Sequence, residues 1–124
     1  MIILAVAFGG AVGSVLRFVI GGTVQRRMHS GFPFGTLAVN ILGCFLMGIL
    51  LQRFMNAEPS SNLRALLVIG FCGGFTTFSA FSSETIGLLA GGANTKALLY
   101  VIASISLSLF ATAIGLIITR VLTR

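Results

Sequence analysis

The sequence predicts an all-α integral membrane protein with four transmembrane helices, the third of which is broken near the midplane of the bilayer. Of the 124 residues, 56% are hydrophobic and only 8% are charged, whereas a soluble domain carries about 25% charged residues. The apolar residues fall into four runs, each long enough to cross a bilayer. The third run contains a glycine pair followed by two threonines, a pattern typical of an interrupted helix.

The first two helices are expected over about residues 2–24 and 34–54, where the apolar runs lie. The first run has no basic segment before it and carries Arg17 near its end, which argues against a cleaved signal peptide. Cys44 and Cys72 both fall within apolar runs, where thiols usually pack as small hydrophobes. No disulfide is therefore expected.

The third helix is expected over about residues 63–90 with a break at 73–77, and the fourth over about 96–122. A polar stretch with Pro and Ser precedes the third helix, and a Gly-Gly turn follows it. No long linker separates the helices. Residues 1–124 are therefore predicted to form a single four-helix transmembrane domain.

The net charge of +6 comes from eight Lys and Arg residues against Glu58 and Glu84. The basic residues are spread along the chain beside the apolar runs, as membrane-flanking anchors are, and do not resemble a nucleic-acid surface. With four spans, the two membrane sides carry nearly equal basic charge: Arg53, Arg64, Arg120 and Arg124 on one, Arg26, Arg27 and Lys96 on the other. This balance is compatible with one orientation, and equally with dual topology, in which copies insert both ways.

The glycine pair Gly73-Gly74 is expected to end the first half of the third helix and to leave carbonyl groups with partial negative charge. Such carbonyls could bind a small cation. Thr76 or Thr77 is expected to cap the second half-helix, whose N-terminus carries partial positive charge and could attract an anion. The alternative is that the glycines permit tight helix packing without any break.

Several polar side chains lie within the apolar runs and need partners there. Asn40 is expected either to make an interhelical hydrogen bond or to present its amide N–H groups to an anion. One face of the fourth helix carries four hydroxyls at i+4 spacing, and the third helix adds two more. These residues are Tyr100, Ser104, Ser108 and Thr112, with Ser79 and Ser82. This row of hydroxyls has two interpretations: it forms a polar track for an ion, or it holds neighbouring helices together.

Phe78 and Phe81 lie on one face of the restarted third helix, at i, i+3 spacing. Lipid or core contact is the ordinary interpretation of such residues. The other interpretation is that their electropositive ring edges coordinate a small anion. In the first helix, Gly9 and Gly13 form a GxxxG pair that predicts close helix packing.

Three segments together resemble the Fluc family of fluoride channels, also called CrcB proteins, over essentially the whole chain. In this sequence the segments are GGAVGSVLRF from Gly9, GTLAVNILG from Gly35 and GFCGGFTTFSAFSSE from Gly70. The resemblance implies an antiparallel, dual-topology homodimer with two pores that conduct fluoride passively. It also implies a bacterial inner (cell) membrane location, membrane lipid around the chain and a role in lowering cytoplasmic fluoride.

The resemblance further implies a structural sodium ion at the dimer centre, held by the backbone carbonyls of Gly73 and Thr76 from both subunits. Arg17 and Glu84 match characteristic charged positions of the family, whereas Ala80 stands where many relatives have threonine. The expected fluoride pore comprises Asn40, Thr77, Phe78, Ser79, Phe81, Tyr100, Ser104 and Ser108.

Two other function classes fit a small four-span chain. A proton-coupled multidrug exporter needs a carboxylate within the membrane, for which Glu84 is the only candidate in a span, and the first helix has no acid. A scaffolding membrane protein needs neither a polar track nor a helix break. No catalytic constellation is present in the sequence, so an enzyme is not expected.

Overall fold

Four helical spans follow one another along the chain and are joined by short turns. In the computed structural model, which describes residues 1–123, each span is long and apolar enough to cross a membrane. The helices are α1 (Ile2–Met28), α2 (Phe34–Asn56), α3 (61–75), α4 (Phe78–Ala90) and α5 (Asn94–Leu122). Helices α3 and α4 together form the third span. The prediction of an all-helical chain with four spans and an interrupted third is confirmed, while Arg124, counted among the loop charges, lies outside the described residues.

The third span begins with a capped turn and then widens. The Ser60 hydroxyl accepts a hydrogen bond from the Leu63 N–H and so satisfies one free donor at the start of α3. The segment Ala65–Cys72 is π-helical, and Gly73–Phe75 returns to α-helical geometry. Irregular segments of this kind within a helix often occur at functional sites.

The interruption itself consists of Thr76 and Thr77, which are both extended, with φ/ψ of −85°/157° and −151°/119°. The expectation that Gly73-Gly74 opens the helix is wrong in its position. Gly73 has helical angles of −63° and −37°, and the helix continues through Phe75. A Cβ at Gly74 would lie 2.5 Å from the Gly10 carbonyl oxygen, so this glycine permits close packing rather than a turn.

The helices pack along two glycine seams. Helix α1 packs against α3, where a Cβ at Gly13 would lie 2.3 Å from the Phe71 carbonyl oxygen. Helix α2 packs against α5, where a Cβ at Gly48 would lie 2.1 Å from the Thr112 carbonyl oxygen. Backbones this close leave no room for side chains, as is common where helices associate in a membrane. The Gly9/Gly13 pair therefore packs within the chain.

Candidate functional site

A cavity of about 1040 Å³ lies between α1, α2 and α4. Its inner end is lined by Thr77, Ser79 and Ala80 at the helix break, and its walls carry the charged residues Arg17 and Glu84. The cavity also borders the turn between α1 and α2, so it reaches one end of the helix bundle. Polar and charged groups thus line a route from one end of the helix bundle to the break.

Asn40 links α2 to the break by hydrogen bonds to both the N–H and the carbonyl of Thr77. The Thr77 N–H donates to Asn40 Oδ1 at 2.8 Å, and Asn40 Nδ2 donates to the Thr77 carbonyl oxygen at 3.1 Å. The side-chain amide therefore replaces the backbone partners that Thr77 loses outside the helix. An amide nitrogen has two N–H groups, so one donor remains after the bond to Thr77.

The start of α4 faces the cavity with partial positive charge. Thr77 Oγ1 accepts the Ala80 N–H at 3.2 Å, which makes Thr77 the N-cap, and lies 3.1 Å from Ser79 Oγ. The N–H groups of the first helical turn, at Phe78 and Ser79, have no carbonyl partner within the helix. This end of α4 can therefore attract an anion, and the neighbouring hydroxyls add further donors.

The end of α3 presents carbonyl groups that are only partly used. The Thr76 N–H and hydroxyl both donate to the Cys72 carbonyl oxygen, at 3.0 and 2.9 Å. Because the Thr77 N–H goes to Asn40, the Gly73 carbonyl loses its helical donor. Arg17 Nη1 donates to the Thr76 carbonyl oxygen at 3.3 Å, which places a guanidinium beside the break.

Carboxylate, histidine and thiol groups do not gather into a metal site anywhere within residues 1–123. The Gly73 and Thr76 carbonyls are among the oxygen atoms at the break, and the Thr76 oxygen already accepts a hydrogen bond from Arg17. Gly73 is exposed, and a Cβ there would have no atom within 4 Å, so this corner of the chain is open. The two carbonyls are too few to surround a cation without further ligands from outside the chain.

Glu84 joins three helices inside the bundle. Its Oε1 accepts the Thr36 hydroxyl and its Oε2 accepts the Tyr100 hydroxyl, both at 2.6 Å. Both hydroxyls therefore direct their hydrogen to the carboxylate and keep oxygen lone pairs for other contacts. Hydrogen bonds to a charged group are the strong ones, so this cluster is expected to fix α2, α4 and α5 relative to one another.

A chain of aromatic rings runs from the break to the turn between α1 and α2. Ring centroids are 5.3 Å apart for Phe78 and Phe81, 5.3 Å for Phe81 and Tyr100, and 5.5 Å for Tyr100 and Phe32. Phe78 is 78% exposed in the single chain, whereas Tyr100 is fully buried. One end of this aromatic chain thus lies on the outer surface of the molecule.

The residues expected to form one pore are divided between three places. Asn40, Thr77 and Ser79 meet at the break. Phe81 lies between the rings of Phe78 and Tyr100, and the Tyr100 hydroxyl bonds to Glu84. The other expected hydroxyls lie further along α5. Ser104 Oγ is buried and has no hydrogen-bond partner among residues 1–123, and Ser108 is half-buried.

Sequence reasoning missed the roles of Thr36 and Gln25. Thr36 lies four residues before Asn40 and therefore on the same face of α2, which is a usable signal. Gln25 stands directly before Arg26 and Arg27 at the end of an apolar run, where a polar residue ordinarily marks the membrane surface. Its partners lie in the turn that follows, and no spacing rule indicates them.

Known proteins resemble this chain over nearly its full length. The family model described as "CrcB-like protein, Camphor Resistance (CrcB)" matches residues 4–116. Proteins named "Fluoride-specific ion channel FluC" are 48% identical over 120 residues in Rhizobium johnstonii and 50% identical over 122 residues in Rhizobium etli. Each match covers 96% of both chains. A protein of the same name from Thermus thermophilus is 48% identical over 112 residues, or 90% of both chains. The chain therefore belongs to the CrcB-like family.

Proposed function

We propose that this chain is a fluoride-specific ion channel that lets fluoride leave the cytoplasm passively. The main support for this proposal is the positive charge at the inner end of the cavity, where the N-terminus of α4 lies beside Arg17. The one carboxylate that lines the cavity, Glu84, accepts two hydrogen bonds, which spread its charge. An anion is therefore the class of ion that this site suits, and the relatives named as fluoride channels supply its identity.

The donors at the break match the needs of a small, strongly hydrated anion. A channel must replace the hydration shell of the ion with groups of its own. These groups must bind the ion well enough for it to enter, but weakly enough for it to leave. Ser79 and the remaining Asn40 N–H supply donors without full charge. The electropositive edges of Phe78 and Phe81 would follow them, as the family resemblance implies, and the hydroxyls of Ser104 and Ser108 would extend the path along α5.

The outer part of the cavity also favours anions. A Cβ at Gly22 would lie 3.2 Å from Arg26 Nη1, and one at Gly31 would lie 3.6 Å from Lys96 Nζ. Both glycines line the cavity, so a guanidinium and an ammonium lie close to its wall. Fixed positive charges around an opening raise the local concentration of anions.

The complete channel is proposed to be an antiparallel homodimer of dual topology. Phe78 is 78% exposed and Gly73 lies at an open corner, so a second copy would cover both. The nearly equal basic charge of the two membrane sides supports insertion in both orientations. Each copy would then contribute its aromatic pair to a pore lined by both.

A sodium ion is proposed at the centre of this dimer, between the Gly73 and Thr76 carbonyls of the two copies. These residues suit the ion because helix ends and unwound backbone carbonyls are known ligands for sodium in membrane proteins. When bound, the ion would offset the partial negative charge of both α3 ends. Its positive field would also reach the nearby anion path.

The proposed location is the bacterial inner membrane, where the channel would protect the cytoplasm. Fluoride enters cells as neutral HF and ionises inside, so a passive anion pathway driven by the membrane potential would expel it. The chain requires no energy source or catalytic group for this task. The comparison with channels favours this function over multidrug export and over a scaffold.

The direct test is ion efflux from liposomes that contain the purified protein. Vesicles loaded with potassium fluoride or potassium chloride are diluted into ion-free medium, and release is followed with ion electrodes after a potassium ionophore is added. We expect rapid fluoride release and no chloride release above that of protein-free vesicles. Equal release of both anions, or release of neither, would contradict the proposal.

A further inference from the structure

The side chain of Gln25 makes three hydrogen bonds at the turn between α1 and α2, through both of its N–H groups and its oxygen. Its Oε1 accepts the Gly35 N–H at 2.9 Å, and its Nε2 donates to the carbonyl oxygens of Phe32 at 3.0 Å and Ser30 at 3.3 Å. One side chain on α1 therefore fixes both the turn and the first helical turn of α2.

The start of α2 offers no substitute for this contact. Its N-cap is Pro33, which has no side-chain capping group, so Gln25 satisfies a free N–H of the first turn from another helix. A Cβ at Gly35 would lie 2.4 Å from the Gly21 carbonyl oxygen and 3.2 Å from Gln25 Cβ. The backbones are in contact here, which leaves no space for another polar side chain.

The groups that Gln25 holds are neighbours of the Glu84 cluster. Gly35 precedes Thr36, whose hydroxyl donates to Glu84. The Phe32 ring meets the Tyr100 ring edge-on, at an interplanar angle of 82°, and the Tyr100 hydroxyl is the other donor to Glu84. Both donors to the carboxylate are thus placed by segments that Gln25 binds.

We propose that Gln25 is a positioning residue for fluoride conduction, which acts by holding Thr36 and Tyr100 on Glu84. This inference rests on the proposed channel function, and it adds a residue outside the pore on which the pore depends. Gln25 itself lines the outer cavity but is not needed as a ligand of the ion. Its effect passes through the backbone of the turn and of α2.

The test compares Gln25→Leu with a matched change at the other end of α2. Gln52 is buried at 7% exposure and donates to Asn56 Oδ1 at 3.3 Å, away from the cavity. Gln25→Leu is expected to lower fluoride efflux about tenfold, since it leaves the Gly35 N–H unpaired and no longer holds the Thr36 and Tyr100 hydroxyls on Glu84. Gln52→Leu is expected to lower the thermal stability without a comparable loss of efflux.

A double-mutant cycle measures the coupling between two substitutions in fluoride efflux, and a general loss of stability does not produce such coupling. If Gln25 acts through the Glu84 cluster, then Gln25→Leu should lower efflux much less in a Tyr100→Phe background than in the wild type. Additive losses would overturn the proposal, as would wild-type efflux from Gln25→Leu. Absence of fluoride efflux from the wild type would instead refute the channel function itself.

Should Gln25→Leu fail to fold, Gln25→Met gives the same test, because its unbranched side chain has about the length of glutamine and carries no charge. It loses the acceptor for the Gly35 N–H and the donors to Ser30 and Phe32. We expect efflux below that of the wild type, again with coupling to Tyr100→Phe. Efflux equal to the wild type would overturn the proposal.

Discussion

At the scale of single residues, the site depends on side chains that substitute for missing backbone partners. Asn40 bonds to the N–H and the carbonyl of Thr77, and the Thr77 hydroxyl bonds to the Ala80 N–H. Two extended residues in a membrane would otherwise leave backbone N–H and C=O groups without hydrogen-bond partners. Each such group costs roughly several kcal/mol in hydrocarbon. These contacts make the interruption of the third span tolerable.

The aromatic pair Phe78 and Phe81, which follows the break, leads to a prediction about conduction. Phe78→Ile and Phe81→Ile should each lower fluoride efflux about tenfold, a rise of about 1.4 kcal/mol in the barrier, because isoleucine has no electropositive edge. Liposome efflux measures the effect, and cross-linking checks that the copies still associate. Phe8→Ile, at an exposed position on α1, is the control and should conduct normally. Normal efflux from both pore variants would exclude the proposed role of the rings.

At the scale of helices, Gly74 of the third span acts through packing, whereas Gly87 does not. A Cβ at Gly74 would lie 2.5 Å from the Gly10 carbonyl oxygen, whereas one at Gly87 would meet nothing within 4 Å. Gly74→Ala should therefore lower the free energy of unfolding by about 1–3 kcal/mol through overpacking against α1. Gly87→Ala should leave it unchanged or raise it by up to about 1 kcal/mol, because alanine favours helix.

Thermal unfolding in detergent, followed by circular dichroism, compares these two variants directly. Gly74→Ala is also expected to shift Thr76 and Thr77, and hence to lower fluoride efflux. A Gly74→Ala variant as stable as Gly87→Ala would show that α1 and α3 are not held as closely as the structure indicates.

The four spans and the interruption were predictable because both follow from local rules. Long apolar runs predict spans, and threonine beside a glycine pair predicts a break. The residue at which the first half of the span ends was not predictable, because Gly74 lies within the helix and packs against Gly10, a contact between two helices that local rules do not indicate. The bonds of Asn40 to Thr77 join residues 37 positions apart, and no periodicity within one helix indicates such a pair.

The Glu84 cluster shows the same limit for the site. The sequence indicates Glu84 and Tyr100 as separate features, but Thr36 lies 48 residues before Glu84 along the chain. Only the fold brings α2, α4 and α5 together around the carboxylate. Sequence patterns identify chemically capable residues, whereas tertiary packing decides which of them meet.

At the scale of the whole molecule, the proposed dual topology can be tested by labelling. In a background in which Cys44 and Cys72 are replaced by alanine, Ser30→Cys and Ser60→Cys place single thiols in exposed turns at opposite ends of α2. A membrane-impermeant maleimide should label each variant from both sides of the membrane, in about equal amounts, because the basic residues are balanced. Labelling of each position from one side only would contradict dual topology.

The exposed position of Phe78 has a consequence for how activity would depend on the amount of protein. A single chain closes its four spans and its Glu84 cluster without help, but it leaves part of the proposed pore wall facing lipid. Folding would then be complete before function begins. In the proposed dimer, two chains would first have to meet by diffusion within the membrane. Protection against fluoride would then rise with the square of copy number at low abundance, and in proportion to copy number once most chains are paired.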